Sequence, residues 1–134
     1  MKNVCLIGCG GVGKRHLEAM LKVKHDINIE VVEPNIEDTP VNQNINYFTK
    51  IEEVSDNIDI CVIATTANVR KKVILELINK KNVKFIILEK VVFQNESDFD
   101  EIIQLFREKN IKSWVNCHLR AQPIYKKVKS CFNL

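Results

Sequence analysis

Val4-Cys5-Leu6-Ile7-Gly8-Cys9-Gly10-Gly11-Val12-Gly13-Lys14 is the stretch that decides how this chain folds. A short apolar run stops at Gly8, and the spacing Gly8-x-Gly10-x-x-Gly13 opens an amphipathic segment. Gly8 lets the chain turn sharply off a strand. At Gly10 the missing side chain lets backbone approach a pyrophosphate, and Gly13 lets the next helix pack against the sheet. The unpaired N–H groups and positive dipole end of that helix, starting at Gly11 and Val12, then face the phosphates. Glu33 follows about 20 residues beyond Gly13, the distance at which such folds carry an acid for the adenosine ribose. The stretch therefore reads as a dinucleotide site, against the plainer alternative of a glycine-rich strand-to-helix turn.

Outward from this loop, strands and helices alternate. Residues 3–7 read as a strand, 11–24 as a helix with Gly13, Leu17, Met20 and Leu21 inward, and Ile27 to Val32 as a second strand. Pro34 cannot extend a central ladder, so Glu33-Pro34-Asn35 ends that strand. Residues 35–46 are polar and turn-rich and read as a loop near the adenosine end. Ile45 to Phe48 read as a short strand, with a small helix near 50–56. Ile58 to Ala64, the most apolar run, is expected at the centre of the sheet. Thr66 or Asn68 is placed to cap a helix over 69–81 that buries Val73, Ile74, Leu77 and Ile78. Val83 to Leu88 form the next strand. Ser97 is expected to cap a helix reaching Lys109, with Phe99, Ile102, Ile103 and Phe106 at helical spacing. Ser113 to Cys117 read as a last strand and 124–133 as a short basic helix. The alternation predicts one doubly wound α/β (Rossmann) domain, a mainly parallel sheet of about six strands with helices on both faces.

With 134 residues the chain is long enough for one core and short for two. A net charge of +3 is too small to imply nucleic acid, and no apolar run approaches the ~18 residues that span a membrane. The chain enters a strand at once rather than a signal sequence. Five cysteines without a Cys-x-x-Cys pair suggest neither a disulfide framework nor a metal site. Cys5, Cys61 and Cys117 fall in runs read as buried strands, as expected of a reduced, cytoplasmic protein. Cys9 lies near a helix N-terminus, a place that can lower a thiol pKa, but it reads more simply as a small residue in a tight turn.

In a doubly wound sheet, ligands bind at the C-terminal strand ends. Those ends carry Gly8 to Gly13, Glu33, Thr65-Thr66, Glu89-Lys90 and Asn116 to Arg120. Glu33 is placed to accept hydrogen bonds from the ribose hydroxyls. Its charge would repel a 2′-phosphate, with no adjacent arginine to compensate, so NAD(H) is favoured over NADP(H). Lys90 is the candidate for proton transfer as hydride leaves, and an ordinary Glu89–Lys90 surface pair is the alternative.

Gly8-Cys9-Gly10-Gly11-Val12-Gly13-Lys14-Arg15-His16-Leu17, Ala64-Thr65-Thr66-Ala67-Asn68, Glu89-Lys90 and Val115-Asn116-Cys117-His118-Leu119-Arg120 together resemble the Gfo/Idh/MocA family. Its members, such as glucose–fructose oxidoreductase and inositol dehydrogenase, oxidise or reduce sugars, inositols and related compounds with a nicotinamide cofactor. The resemblance implies a functional lysine at Lys90 from the family's Glu-Lys-Pro motif, and places Glu89 near the nicotinamide ribose. It makes Gly8, Gly10, Gly11, Val12, Gly13, Glu33, Thr65, Thr66, Asn68, Glu89 and Asn116 the candidate cofactor contacts. Val91 stands where the family usually has proline, Thr66-Ala67 replaces Pro-Asn, and Arg70 falls where histidine is common.

Family members continue into a second α/β domain that supplies most substrate contacts, so this chain alone is expected to bind nucleotide without turning over substrate. The resemblance therefore implies a dinucleotide domain over 1–120, with 121–134 beginning the connection to a substrate domain. The expected partners are a nicotinamide dinucleotide and a sugar-type substrate. Apolar surface left open by an absent domain would favour a homo-oligomer. The alternatives are a free-standing nucleotide-binding or NADH-sensing module without catalysis, an S-adenosylmethionine site, and a purely structural oligomerisation domain.

Overall fold

The computed structural model describes residues 1–35 and 45–132. The expected adenosine-side loop lies mostly in 36–44, outside the described residues. Six strands, β1 (Lys2–Ile7), β2 (Ile27–Val32), β3 (Ile45–Phe48), β4 (Asn57–Ile63), β5 (Asn82–Glu89) and β6 (Lys112–Asn116), form one sheet in the order β3-β2-β1-β4-β5-β6. Every neighbouring pair is parallel. The helices are α1 (Gly11–Leu21), α2 (Ala67–Lys80), α3 (Ser97–Glu108) and α4 (Pro123–Cys131), with short 3-10 turns at Ile51–Glu53 and His118–Ala121.

Strand order reverses between β1 and β4, so the loops leaving those two strands diverge and open a crevice at their C-terminal ends. Leu17 and Met20 of α1 pack with Val4, Leu6, Ile29, Val31 and Val62. A second cluster joins Ile74, Leu77 and Ile78 of α2 and Ile102 and Phe106 of α3 to Cys5, Ile7, Cys61, Ile63, Ile86 and Leu88. The two apolar faces of β1 and β4 thus meet different helices, which is why their strands lack a polar side.

Several local expectations need correction. The first helix stops at Leu21, where the Lys22 N–H donates to the Ala19 carbonyl and the Val23 N–H to the Met20 carbonyl. The next residues must turn for Asp26 to accept the Lys2 N–H. Leu21 is consequently exposed rather than inward. Thr66 occupies the N-cap of α2 but makes no capping bond, and its hydroxyl donates instead to Asn68 Oδ1 at 2.6 Å. Arg70 joins the buried face of α2, while Val73 is only partly covered. Ser97 is not a cap. Glu96 holds that position and Ser97 is already helical. Ile103 faces solvent, and Phe99 is half out, edge-on to Phe93 with centroids 5.0 Å apart. Cys117 is exposed because β6 is an edge strand followed by an open turn, unlike the buried Cys5 and Cys61.

At the opposite end of the sheet Asp59 joins three strands. It accepts from Lys84 Nζ at 2.8 Å and from the Asn3 N–H at 3.0 Å. Those bonds, with the Lys2 charge nearby, hold its carboxyl down to about 2.

Candidate functional site

Gly8 has φ +90°, a backbone region that side-chain-bearing residues rarely enter. A Cβ on Gly13 would sit 2.1 Å from the Gly8 carbonyl oxygen, so α1 can begin this close to β1 only with glycine there. A Cβ on Gly10 or Gly11 would meet no atom within 4 Å. Gly13 therefore serves packing, and Gly10 and Gly11 border open space. No side chain caps α1 and its first turn carries no acid, so its leading N–H groups remain available to an anion.

Two crevices flank that helix start. The first, about 450 Å³, is lined by Gly8, Gly10, Glu33, Thr65 and Thr66, and also by Thr49 and Lys50 from the end of β3. Glu33 is tied into it. Its Oε2 accepts the Cys9 N–H at 2.6 Å and its Oε1 accepts the Asn35 N–H at 3.2 Å. The second, about 460 Å³, is lined by Val12, Arg15, His16, Glu89, Lys90, Asn116 and His118. Asn68 lines neither crevice, because its carbonyl is turned back to Thr66. Another hollow of about 320 Å³ lies at the opposite end of the sheet, between Asn57, Lys81 and Asn82, away from the switch point.

Cys9 behaves as a small residue in a tight turn, with its thiol pKa raised rather than lowered. Burial pushes the thiol up, the Glu33 charge adds to that, and Lys14 opposes it only in part. Its side chain packs in the core with Leu6, Leu17 and Val31.

In the second crevice, Glu89 Oε1 accepts from Asn116 Nδ2 at 2.5 Å and lies 2.6 Å from His16 Nε2. Burial alone would raise the Glu89 carboxyl. Hydrogen bonds from Asn116 and His16, with the charges of His16 and Arg70, outweigh burial and hold it below the usual value. Lys90 is exposed and makes no hydrogen bond or ion pair among the described residues.

Two participants were not among the sequence candidates. His16 lies one turn beyond Gly13, on the side of α1 that faces the β5 and β6 ends. Arg70, 2% exposed, bonds the carbonyls of Glu89 (2.5 Å), Val91, Val92 (2.9 Å) and Thr65. Burial pushes its pKa down and Glu89 partly restores it. The periodicity of α2 offers no signal for an inward arginine. The histidine common at this position in the resembled family is the one hint that it does more than face water.

The residues present suit a dinucleotide. The helix N-terminus separates two polar-edged crevices of the size small ligands occupy. The buried Thr65 hydroxyl beside Gly8 has no hydrogen-bond partner among the described residues. Fold and site together define a doubly wound dinucleotide-binding domain of the Rossmann type.

Residues 2–117 match the oxidoreductase family's NAD-binding Rossmann fold, of the Gfo/Idh/MocA type, and the chain belongs to that family. No curated protein shows a significant match. Among solved structures, the WlbA dehydrogenase from Bordetella pertussis, in complex with NADH and UDP-GlcNAcA, superimposes with TM-score 0.81 at 17% identity. The match covers 99% of this chain and 42% of that one. A super-repressor mutant of Gal80p from Saccharomyces cerevisiae gives TM-score 0.78 at 20% identity, over 96% of this chain and 37% of that one. This chain therefore spans about two fifths of the length of these relatives. Among the described residues no helix is long and apolar enough to cross a membrane, and no three His, Cys, Asp or Glu side chains converge as a metal site.

Proposed function

We propose that this chain is the NAD(H)-binding domain of an oxidoreductase acting on a sugar, inositol or sugar-derived substrate. The observation that carries the reading is the Glu33 carboxylate, fixed by the Cys9 N–H in the same crevice as Gly8 and Gly10. Glu33 has acceptor capacity left for ribose hydroxyls, and its charge disfavours a 2′-phosphate. The α1 amides at Gly11, Val12 and Gly13 would hold the diphosphate, with Thr65 and Thr66 along the adenosine side. Glu89 and Asn116 would border the nicotinamide ribose. The bound cofactor supplies the hydride donor or acceptor. Lys90, free of protein partners beside that ribose, takes or returns the substrate hydroxyl proton at Nζ, a role worth about 10²–10⁴-fold in rate.

Residues 1–120 form the cofactor domain in this reading, and 121–134 lead toward a substrate domain. Ile124 and Val128 on α4, and Phe132 just past its end, are exposed, apolar groups suited to that domain or to a second copy. Calorimetric titration with NADH and NADPH tests the reading, and NADPH binding more tightly than NADH would overturn the cofactor assignment. A second reading, a nucleotide-binding module without catalysis, draws on the openness of Lys90, which no titratable partner holds in place. NADH-linked turnover of sugars and inositols, screened with the substrate domain present, separates the two.

A further inference from the structure

We infer that Arg70 is the positioning residue for Lys90: its buried guanidinium knots the loop on either side of that lysine to the turn after β4. This rests on the reading of Lys90 given above.

The geometry is unusual for an arginine. Its terminal nitrogens reach four backbone carbonyls and no carboxylate oxygen, at 2% exposure. Its Nε is buried without a hydrogen-bond partner among the described residues. Burying a guanidinium without an ion pair is expensive, so a purely apolar contact would fill this place at less cost. What the arginine adds is direction. Glu89 and Val91 immediately flank Lys90, and both of their carbonyls are bound to the same NH1. Val92 continues the grip. The NH2 bond to Thr65 then fixes this loop to the turn that borders the other crevice. Glu89 is held independently by His16 and Asn116. Backbone is thus pinned on both sides of a lysine whose side chain alone stays free. A flat fork with several donors can do this, and a lysine or histidine cannot span the same four acceptors.

The consequence is a fixed distance between the two halves of the site. With Arg70 in place, a dinucleotide held at the glycine loop meets Lys90 at one reproducible position. Without it the loop after β5 still exists but drifts relative to Thr65.

The test follows acetylation of Lys90 by a water-soluble acetylating reagent. Mass spectrometry compares it with exposed Lys72, with and without NADH, alongside NADH affinity. In the native protein saturating NADH should slow Lys90 labelling about fivefold relative to Lys72. In Arg70→Ala, checked for folding by circular dichroism, that protection should fall below about twofold. NADH affinity should change less than about threefold, and millimolar guanidinium should restore the protection. A role confined to stability would lower the melting point without this selective loss and rescue. Full protection in folded Arg70→Ala, or failure of guanidinium to restore it, overturns the proposal. If Arg70→Ala does not fold, Arg70→Lys carries the test, because it keeps the charge and cannot bridge both loops. Full protection there overturns the proposal and its loss supports it. Absence of NADH protection at Lys90 in the native protein overturns the Lys90 reading itself, a result distinct from every variant outcome.

Discussion

The Cys9 backbone N–H and the Glu33 carboxylate are 2.6 Å apart, so the glycine loop and the end of β2 are joined by a charge-assisted hydrogen bond. This bond holds the acid beside the loop before any ligand arrives. It also gives Glu33 two duties, bracing the loop and recognising the ribose, which substitution can separate.

Glu33→Ala removes both duties and should weaken NADH binding about 10- to 100-fold by calorimetry, the loss of a charged acceptor. Glu33→Gln keeps an acceptor and loses the charge. It should hold NADH within a few-fold while NADPH gains about tenfold. Unchanged NADPH affinity in Glu33→Gln would show that charge is not what discriminates.

Gly13→Ala and Gly11→Ala should move stability differently although they lie two residues apart. The first sets a methyl 2.1 Å from the Gly8 oxygen and 2.9 Å from its carbon, both backbone atoms that cannot step aside. It should lose about 3 kcal/mol or more, at the upper end of overpacking. Gly11 has nothing within 4 Å, so alanine there should leave the melting temperature equal or raised. Equal melting temperatures for both variants would contradict this packing.

Acid should destabilise the fold in a definite window. Asp59 titrates near 2 in the fold, and an unperturbed aspartate titrates near 3.9. A folded value below the unfolded one means the bonds to Lys84 and Asn3 contribute fully above about pH 4 and are lost as pH falls through 2. Glu89, also held down, adds in the same direction. The stability gap between native protein and Asp59→Asn in urea should therefore narrow from pH 4 to pH 2. A gap constant across that range would show that Asp59 is not responsible.

Lys90→Met should leave NADH affinity and melting temperature unchanged, since the side chain is exposed and bonds nothing among the described residues. With the substrate domain present, NADH-linked turnover of a substrate found by screening should fall about 10²-fold or more. Retained turnover would return Lys90 to the status of a surface residue.

The sheet was legible in the sequence because buried parallel strands are continuous apolar runs. Ile27 to Val32 stops just short of Pro34, where the proline says it must. Parts of the site were legible for a related reason: chemistry in this fold is confined to strand ends, which short polar turns mark. What escaped depended on long-range contacts. Leu21, Phe99 and Ile103 satisfy helical spacing but lie outside the narrow stripe each helix buries. Cys117 reads like Cys61 until β6 proves to be an edge. Arg70 lies 19 residues from Glu89 in sequence, and only the crossover from β4 to β5 brings them together.

Amide chemical shifts followed while NADH is titrated into the isotopically labelled protein give the most direct check. The account predicts that the largest saturable changes fall on Gly10, Gly11, Val12 and Gly13, with Glu33 and Thr65 next. Changes confined to β6 and α4, with the glycine amides unmoved, would contradict it.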